Sequence, residues 1–281
     1  MKKFLKWTGF VVASLVGLVL VGVVLLYVLS ERVLNRHFEV AASAAIILPT
    51  DPADIAEGRR LAHLTGCTHC HGENLAGDVP LEIPNVVRFV APNLTELLPR
   101  YSDAQLVTLL RKGVRPDGTG VLFMPSEMIR HLNDQDLARV IAFARSLPPT
   151  PGIAGKTEVR MVGRYILASG QFQPAAQMIE LAAPDAVPPG LSATAARGRY
   201  LAMSACSECH GQDLNGNPGA NGPPLAVAQA YSAEDFSRLM HEGVALGGRE
   251  LELMSRTARA RFSVLTPEET QAIHAFLHSR S

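Results

Sequence analysis

The chain has 281 residues, a formal net charge of zero and four cysteines. At roughly 100–200 residues per domain, this length allows two domains and one additional segment. The neutral charge argues against the strongly basic surface by which proteins bind nucleic acids. All four cysteines lie in two Cys-x-x-Cys-His motifs, so none is left for a structural disulfide or a free nucleophilic thiol.

Residues 1–30 form a predicted membrane anchor. Three lysines precede an uncharged apolar stretch from Trp7 to Leu29, which is long enough for a helix to cross the ~30 Å core of a bilayer. The leading lysines favour a cytoplasmic N-terminus, although two arginines follow the stretch. The alternative is a cleaved signal peptide, whose apolar region is usually only about 7–15 residues long. We therefore expect an uncleaved anchor, with the rest of the chain outside the cytoplasmic membrane.

The remainder of the chain is a tandem repeat, because the same short segments occur twice in the same order. The matching segments are Glu57–Ala62 and Arg197–Ala202, Cys70–Leu75 and Cys209–Leu214, Ala91–Leu94 and Gly222–Leu225, Tyr101–Ser102 and Tyr231–Ser232, Gly113–Val114 and Gly243–Val244, and Leu132–Asp136 and Leu265–Glu269. The repeat predicts two homologous domains, over residues 50–150 and 191–281. Proline-rich boundaries at Pro148–Gly152 and Pro184–Gly190 delimit a connector over residues 151–190, which we expect to pack on the domains.

Each domain is predicted to be helical, and the fold class is all-α. One helix precedes the cysteines. A second spans about Asp103–Gly113 or Glu234–Gly243, between an acidic first turn and a glycine. The third spans about Asp134–Ser146 or Pro267–Ser279 and begins after a cap residue with an acidic residue three positions on.

The two Cys-x-x-Cys-His motifs predict two covalently attached c-type haems. They read Cys67-Thr68-His69-Cys70-His71 and Cys206-Ser207-Glu208-Cys209-His210. In this signature the two thiols form thioethers with the haem, and the adjacent histidine is the proximal iron ligand. A haem in each domain would also explain the long loops, since it would supply much of the core.

Two other uses of paired cysteines fit less well. Paired zinc-ribbon motifs are typically about 15–20 residues apart, whereas about 135 residues separate these two. A thioredoxin-like thiol pair requires a βαβ context, and the predicted elements here are helices.

The second iron ligand is predicted to be a methionine in each domain. Methionine raises the reduction potential of a haem and suits electron transfer. Met124 lies before the last helix of the first domain, with Met128 as the competing residue, and Met254 lies at the equivalent place in the second. Met203 and Met240 are expected to pack in the core.

Predictions for the surroundings of the iron ligands are less specific. A proximal histidine normally donates its other ring N–H to a fixed acceptor, and the backbone carbonyls of Pro92 and Pro223 are candidates. The alternative is that these prolines only stiffen their loops. Arg256, Arg259 and Arg261 are predicted to form a basic face exposed to solvent. The alternative is that they contact the haem propionates or an acidic partner. The other histidines are expected at the surface or in packing; these are His37, His63, His69, His131, His241, His274 and His278.

Five segments together resemble the class I cytochrome c domains in cytochrome subunits of membrane-bound bacterial alcohol and gluconate dehydrogenases. They are Gly58–Leu61, Cys67–Gly72, Ala91–Thr95, Met124–Ser126 and Leu132–Pro149. The resemblance implies that His71 with Met124, and His210 with Met254, bind iron. It also implies that Gly58 meets Phe143, and Gly198 meets Phe276, where the first and last helices cross. Those subunits carry three haem motifs rather than two, so the dehydrogenase role is not transferred.

These observations predict a membrane-tethered dihaem electron carrier facing the bacterial periplasm, where haem attachment occurs. Its partners would be redox proteins: a dehydrogenase or quinol oxidoreductase as donor and a cytochrome or oxidase as acceptor. With two six-coordinate irons the chain would not be an enzyme by itself. A dihaem peroxidase, which requires one open iron position, and a fixed subunit of a dehydrogenase or oxidase complex are the alternatives.

Overall fold

The computed structural model describes residues 2–153, 155–182, 187–220 and 222–280. It begins with a long helix, α1 (Lys2–Leu34), which is apolar enough to span a membrane and extends four residues beyond the predicted anchor. The following segment runs along the first domain. The backbone N–H of Ser43 donates to Thr108 Oγ1, and Lys112 Nζ donates to the carbonyl of Ala41.

The first domain contains the predicted helices and a small sheet that the sequence did not predict. Its elements are α2 (Pro52–Leu64), α3 (Cys67–His71), β1 (Asp78–Ile83), β2 (Val87–Ala91), α4 (Leu94–Leu97), α5 (Asp103–Lys112), α6 (Ser126–Ile129) and α7 (Asp134–Ser146). Ser102 and Gln105 form a capping box at the start of α5, and Gly113 ends this helix in the left-handed region with φ +67°. These capping residues account for the agreement between the predicted and observed helix ends.

The connector packs on the first domain and on α1, as predicted. Strand β3 (Glu158–Val159) pairs antiparallel with β2 and completes a sheet in the order β1-β2-β3. Helix α8 (Met161–Ala168) lies against α1, and α9 (Ala175–Leu181) lies against α5 and α6. Of the predicted second boundary, Pro184 lies outside the described residues.

The second domain repeats this plan with a longer helix before the last one. Its elements are α10 (Ala193–Ala205), α11 (Ser207–His210), α12 (Ala233–Glu242), β4 (Val244–Ala245), β5 (Arg249–Glu250), α13 (Glu252–Arg261) and α14 (Pro267–Ser279). Thr266 and Glu269 form the capping box of α14. Strands β4 and β5 form a short antiparallel pair, which the sequence did not predict either.

Glycine allows the first and last helices of each domain to cross closely. A Cβ on Gly58 would lie 2.0 Å from the carbonyl oxygen of Arg139 and 3.1 Å from Cβ of Phe143. A Cβ on Gly198 would lie 1.8 Å from the carbonyl oxygen of Ala272. The expected contact of Gly58 with Phe143 is confirmed, whereas the nearest neighbours of Gly198 are Ala272 and Ile273 rather than Phe276.

The two domains share one apolar core and meet through contacts that obey an approximate twofold relation. Arg60 of the first domain binds Glu269 of the second at 2.7 Å, and Tyr200 of the second donates to Asp136 of the first at 2.5 Å. Arg60 and Tyr200 occupy equivalent positions of the repeat, as do Asp136 and Glu269. Equivalent residues of the two domains therefore form equivalent contacts across the interface, as in a twofold-symmetric dimer.

Candidate functional site: two cysteine-histidine motifs and a cavity

The first motif forms a single helical turn, α3, directly after α2. Gly66 separates the two helices with φ +86°, in the left-handed region that glycine adopts without strain. This turn places Cys67, Cys70 and His71 along one wall of a cavity of about 690 Å³. Met124, from the segment before α6, also lines that cavity.

The cavity fits a haem in size and chemistry. Its volume is within the range of about 300–1,000 Å³ that is usual for ligand and cofactor sites. Apolar side chains make up most of the wall, including Leu75, Leu94, Leu98, Leu106, Leu110, Ile129, Val140 and Ile141. Basic residues also line it, namely Arg115, Lys156, Arg164 and Arg261, and they offer cations for the two propionates.

Both motif histidines are oriented by the same kind of hydrogen bond. His71 Nδ1 donates to the carbonyl of Pro92, and His210 Nδ1 donates to the carbonyl of Pro223, each at 2.8 Å. A carbonyl only accepts, so these bonds place the proton on Nδ1 and leave the Nε2 lone pair for a metal. Burial lowers the pKa of both histidines, which favours the neutral form that ligates iron. The predicted role of the two proline carbonyls is confirmed.

Met124 and Met128 differ in their surroundings. Met124 is partly buried and lines the cavity with the first motif. Met128 is 0% exposed, and its Sδ lies 3.9 Å from Nη2 of Arg261 in the interface between the domains. Only Met124 therefore shares the cavity with Cys67, Cys70 and His71.

The second motif occupies the same place in the order of elements of its own domain. Cys206 ends α10, and the turn α11 carries Cys209 and a buried His210. Met254 is partly buried against the shared core, on α13 rather than in a loop like Met124. The serine after it, Ser255, binds the carbonyl of Gly243 at the end of α12, much as Ser126 binds that of Leu109 at the end of α5.

Burial raises the pKa of all four motif thiols. Burial raises the pKa of Cys70 to about 11 and that of Cys206 to about 12. A dithiol redox pair requires the opposite, a pKa lowered towards neutrality. Among the described residues, no three His, Cys, Asp or Glu side chains are grouped to hold a metal ion by themselves. These observations argue against the thiol-redox and zinc alternatives.

The prediction that the three arginines form a solvated basic face is wrong for Arg261. Arg256 and Arg259 are exposed, but Arg261 is 7% exposed and projects from the second domain into the wall of the first cavity. Its Nε donates to the carbonyl of Leu64, and its Nη1 lies 3.0 Å from Oε2 of Glu208, inside the second motif. Arg261 thus joins the second motif, through Glu208, to the backbone just before the first motif, through Leu64.

The remaining predicted packing residues are in hydrogen bonds or in the core. Met203 and Met240 are buried, as expected. Four histidines form hydrogen bonds with nearby oxygen atoms: His63 with the hydroxyl of Thr68, His241 with the hydroxyl of Thr270, and both His274 and His278 with the carbonyl of Tyr231.

Comparison with known proteins identifies the family. The cytochrome c family model matches residues 55–148 and 195–281, the two repeated domains that carry the motifs. A search of curated proteins found no match. The two matched segments, each with its Cys-x-x-Cys-His turn and its carbonyl-bonded histidine, show that the chain belongs to the cytochrome c family and contains two domains of this family, whose role is haem-based electron transfer.

Proposed function

We propose that the chain is a membrane-tethered dihaem c-type cytochrome, which transfers electrons between redox proteins on the periplasmic side of a bacterial inner membrane. The observation that carries this proposal is the duplicated site, in which two motif histidines are held by proline carbonyls at the same 2.8 Å distance. The two domains pack on one shared apolar core, so in this proposal the two haems work together rather than as independent carriers.

The residues of each domain have distinct proposed roles. Cys67 and Cys70 anchor the first haem, and Cys206 and Cys209 anchor the second. His71 and His210 are the proximal ligands, and Met124 and Met254 are the distal ones. The bound haem supplies an iron that accepts and releases one electron. The apolar wall of the first cavity would keep water away from a bound haem.

Helix α1 is the proposed tether. Its apolar residues are exposed over most of the helix, with a mean hydropathy of 2.9 in the most apolar window, and such a surface favours lipid over water. Haem is attached to c-type cytochromes outside the cytoplasm, which agrees with a cytoplasmic N-terminus. The proposed organisation is an anchor over residues 1–30, haem domains over 50–150 and 191–281, and a connector over 151–190.

A dihaem peroxidase is the second candidate, because it too is built from two such domains. It requires one iron with an open position. The cavity lined by Met124 and the partly buried Met254 both favour closed, six-coordinate irons. Membership of a larger dehydrogenase or oxidase complex is compatible with the same sites, and the proposed partners are a dehydrogenase or quinol oxidoreductase and an acceptor cytochrome or oxidase.

Spectroscopy of the purified ferric protein, with and without peroxide, tests the electron-carrier proposal. Two low-spin haems with methionine-to-iron charge-transfer absorption, unchanged by peroxide, are expected. A high-spin fraction that is consumed by peroxide would support the peroxidase instead. Gentle solubilisation of the membranes, followed by identification of copurifying proteins, distinguishes a free carrier from a complex subunit.

A further inference from the structure

Helix α8 of the connector presents an apolar surface that its own fold leaves uncovered. Met161, Val162 and Tyr165 are 44%, 45% and 58% exposed. Two further exposed apolar side chains, Leu81 and Ile83, lie on strand β1. A soluble domain normally leaves large apolar side chains exposed singly, so a cluster of this kind marks an interaction surface.

The α8 residues and the β1–β2 hairpin belong to one rigid unit. The backbone N–H groups of Arg160 and Val162 donate to the carbonyls of Val86 and Asn85 at the hairpin turn. Gly163 packs so closely that a Cβ there would lie 2.2 Å from the carbonyl oxygen of Val86. The apolar side chains of helix and hairpin are therefore held in a fixed arrangement, named here the connector patch: Leu81, Ile83, Met161, Val162 and Tyr165.

Contacts with α1 fix the level of this patch along the anchor. Arg164 of α8 binds Glu31 at 2.8 Å and Ser30 Oγ at 2.8 Å, and its guanidinium lies 4.1 Å from the ring centre of Tyr27. The same side of α1 is partly covered from Leu26 to Leu34. Helix α8 thus packs beside the last turns of the apolar stretch rather than beyond them.

The aromatic residues of α1 place those turns at the outer surface of the bilayer. Trp7 and Tyr27 are 20 positions apart, which is roughly 30 Å along a helix and equals the thickness of the hydrocarbon core. Tryptophan and tyrosine are enriched at the two boundaries of that core. If Trp7 marks the inner boundary, Tyr27 marks the outer one, and α8 lies at the same level.

We propose that the connector patch inserts into the outer lipid headgroup region beside α1 and holds the haem domains against the membrane. The occupant is lipid, because the patch lies beside a lipid-exposed helix and combines apolar side chains, a tyrosine and neighbouring arginines, which is the composition of interfacial segments. The proposal rests on the proposed function, since it requires α1 to span a bilayer. It places the first haem site nearer to the membrane than the second. The first cavity is lined by Glu31 and Leu34 of α1 and by Asn35, which directly follows this helix.

Nitroxide labelling of the full-length, haem-loaded protein in lipid nanodiscs tests this proposal. Single cysteines replace Val162 in the patch, Val19 within α1 and Leu253 on the second domain, where the native side chain is 51% exposed. The native thiols are consumed by thioether bonds, so only the new cysteine is labelled, and the haem iron contributes equally to the label's relaxation with and without reagent, so its contribution cancels. Collision rates with oxygen, which concentrates in lipid, and with a water-soluble nickel chelate are compared.

The expected result is an oxygen-to-nickel ratio at Val162→Cys several-fold above that at Leu253→Cys and between the values at Leu253→Cys and Val19→Cys. A label at Val162→Cys that behaves like Leu253→Cys, with Val19→Cys still in lipid, would overturn the patch proposal and leave the anchor intact. An aqueous Val19→Cys label would overturn the anchor and the patch together. Protection of Val162→Cys from both reagents would mean a protein partner and would also overturn lipid insertion.

Discussion

At the scale of single residues, substitution of Met124 should change the haem spectrum, whereas substitution of Met128 should change the stability of the fold. Met124 lines the cavity, whereas Met128 is buried between the domains. Met124→Ala should remove the methionine-to-iron absorption from half of the haems and lower the potential of the first site, because methionine ligation raises it. Met128→Ala should leave that absorption intact and cost about 2–5 kcal/mol of unfolding free energy through the cavity it creates.

Ferric optical spectra, a redox titration and denaturant unfolding of both variants check this prediction. The two variants serve as controls for each other, since both remove one methionine from neighbouring positions. Loss of the charge-transfer absorption in Met128→Ala, with Met124→Ala unaffected, would assign the ligand to Met128 instead.

Glu127 is a buried carboxyl that should make stability depend on pH. Burial raises its pKa to about 7, with a smaller contribution from the charge of Glu208, and one carboxylate oxygen has no hydrogen-bond partner among the described residues. The folded state therefore binds a proton more tightly than the unfolded state, whose carboxyl titrates near 4.5. Stability from this group is fully present below about pH 4.5 and is lost as the pH rises through about 7.

The variant Glu127→Gln should abolish this dependence and stabilise the protein at pH 8 by about 3 kcal/mol, given the rise of the pKa from 4.5 to about 7 and about 1.4 kcal/mol per pKa unit. Denaturant unfolding at pH 5 and pH 8 measures it. Glu96→Gln, at an exposed site, is the matched control and should change neither value. A Glu127→Gln protein that loses as much stability between pH 5 and pH 8 as the parent would refute the prediction.

At the scale of elements, the crossing of α2 and α7 depends on the absence of a side chain at Gly58. A Cβ there would lie 2.0 Å from a backbone carbonyl, which cannot move without displacing α7. Gly58→Ala should therefore cost at least about 1–3 kcal/mol through overpacking, despite the better helix propensity of alanine. Gly22→Ala, where nothing lies within 4 Å, is the control. Thermal unfolding that ranks the two variants equally would contradict this account.

The elements that could be predicted from the sequence are those encoded by neighbouring residues. The bounds of α7 and α14 were correct because Asn133 and Thr266 cap them. The histidine-to-proline hydrogen bonds were predictable because the repeat aligns Pro92 with Pro223. Strand β3 was missed because its partner β2 lies about 70 residues earlier in the chain, and no local pattern encodes such a pairing.

The position of Arg261 was missed for a related reason. Its partners are Leu64, in the other domain, and Glu208, in the second motif, and neither is near Arg261 in the sequence. From the sequence alone, the charged side chain was therefore predicted to be exposed to solvent. One signal was present in the sequence. Arg261 lies four residues before Leu265, as Met128 lies four residues before Leu132, so the two residues occupy equivalent positions of the repeat. Residues at equivalent positions contact each other where the twofold axis passes through an interface, as Arg261 and Met128 do here.

At the scale of the whole molecule, the two haem domains should behave as one folding unit. The contacts between the domains include the Arg60–Glu269 ion pair, the Tyr200–Asp136 hydrogen bond and the hydrogen bond from Arg261 Nε to the carbonyl of Leu64. Burial and the bond to Asp136 raise the pKa of Tyr200, so its hydroxyl remains a donor throughout the physiological range. Interfaces that share one apolar core in this way couple the unfolding of their domains.

Removal of Arg261 tests both the coupling and the electrostatics of the interface. Arg261→Gln leaves Glu208 without its cation and should cost about 1–3 kcal/mol, less than a fully buried pair because Glu208 is 36% exposed. Calorimetry should then resolve separate transitions for the two domains. Loss of a positive charge between the motifs should also lower the haem potentials, since that charge favours the reduced iron.

The control is Arg256→Gln, which removes the same charge from an exposed position and should change neither the unfolding transitions nor the haem potentials. Equal effects of the two substitutions would show that Arg261 acts only through net charge, and that its bond to Leu64 does not couple the domains.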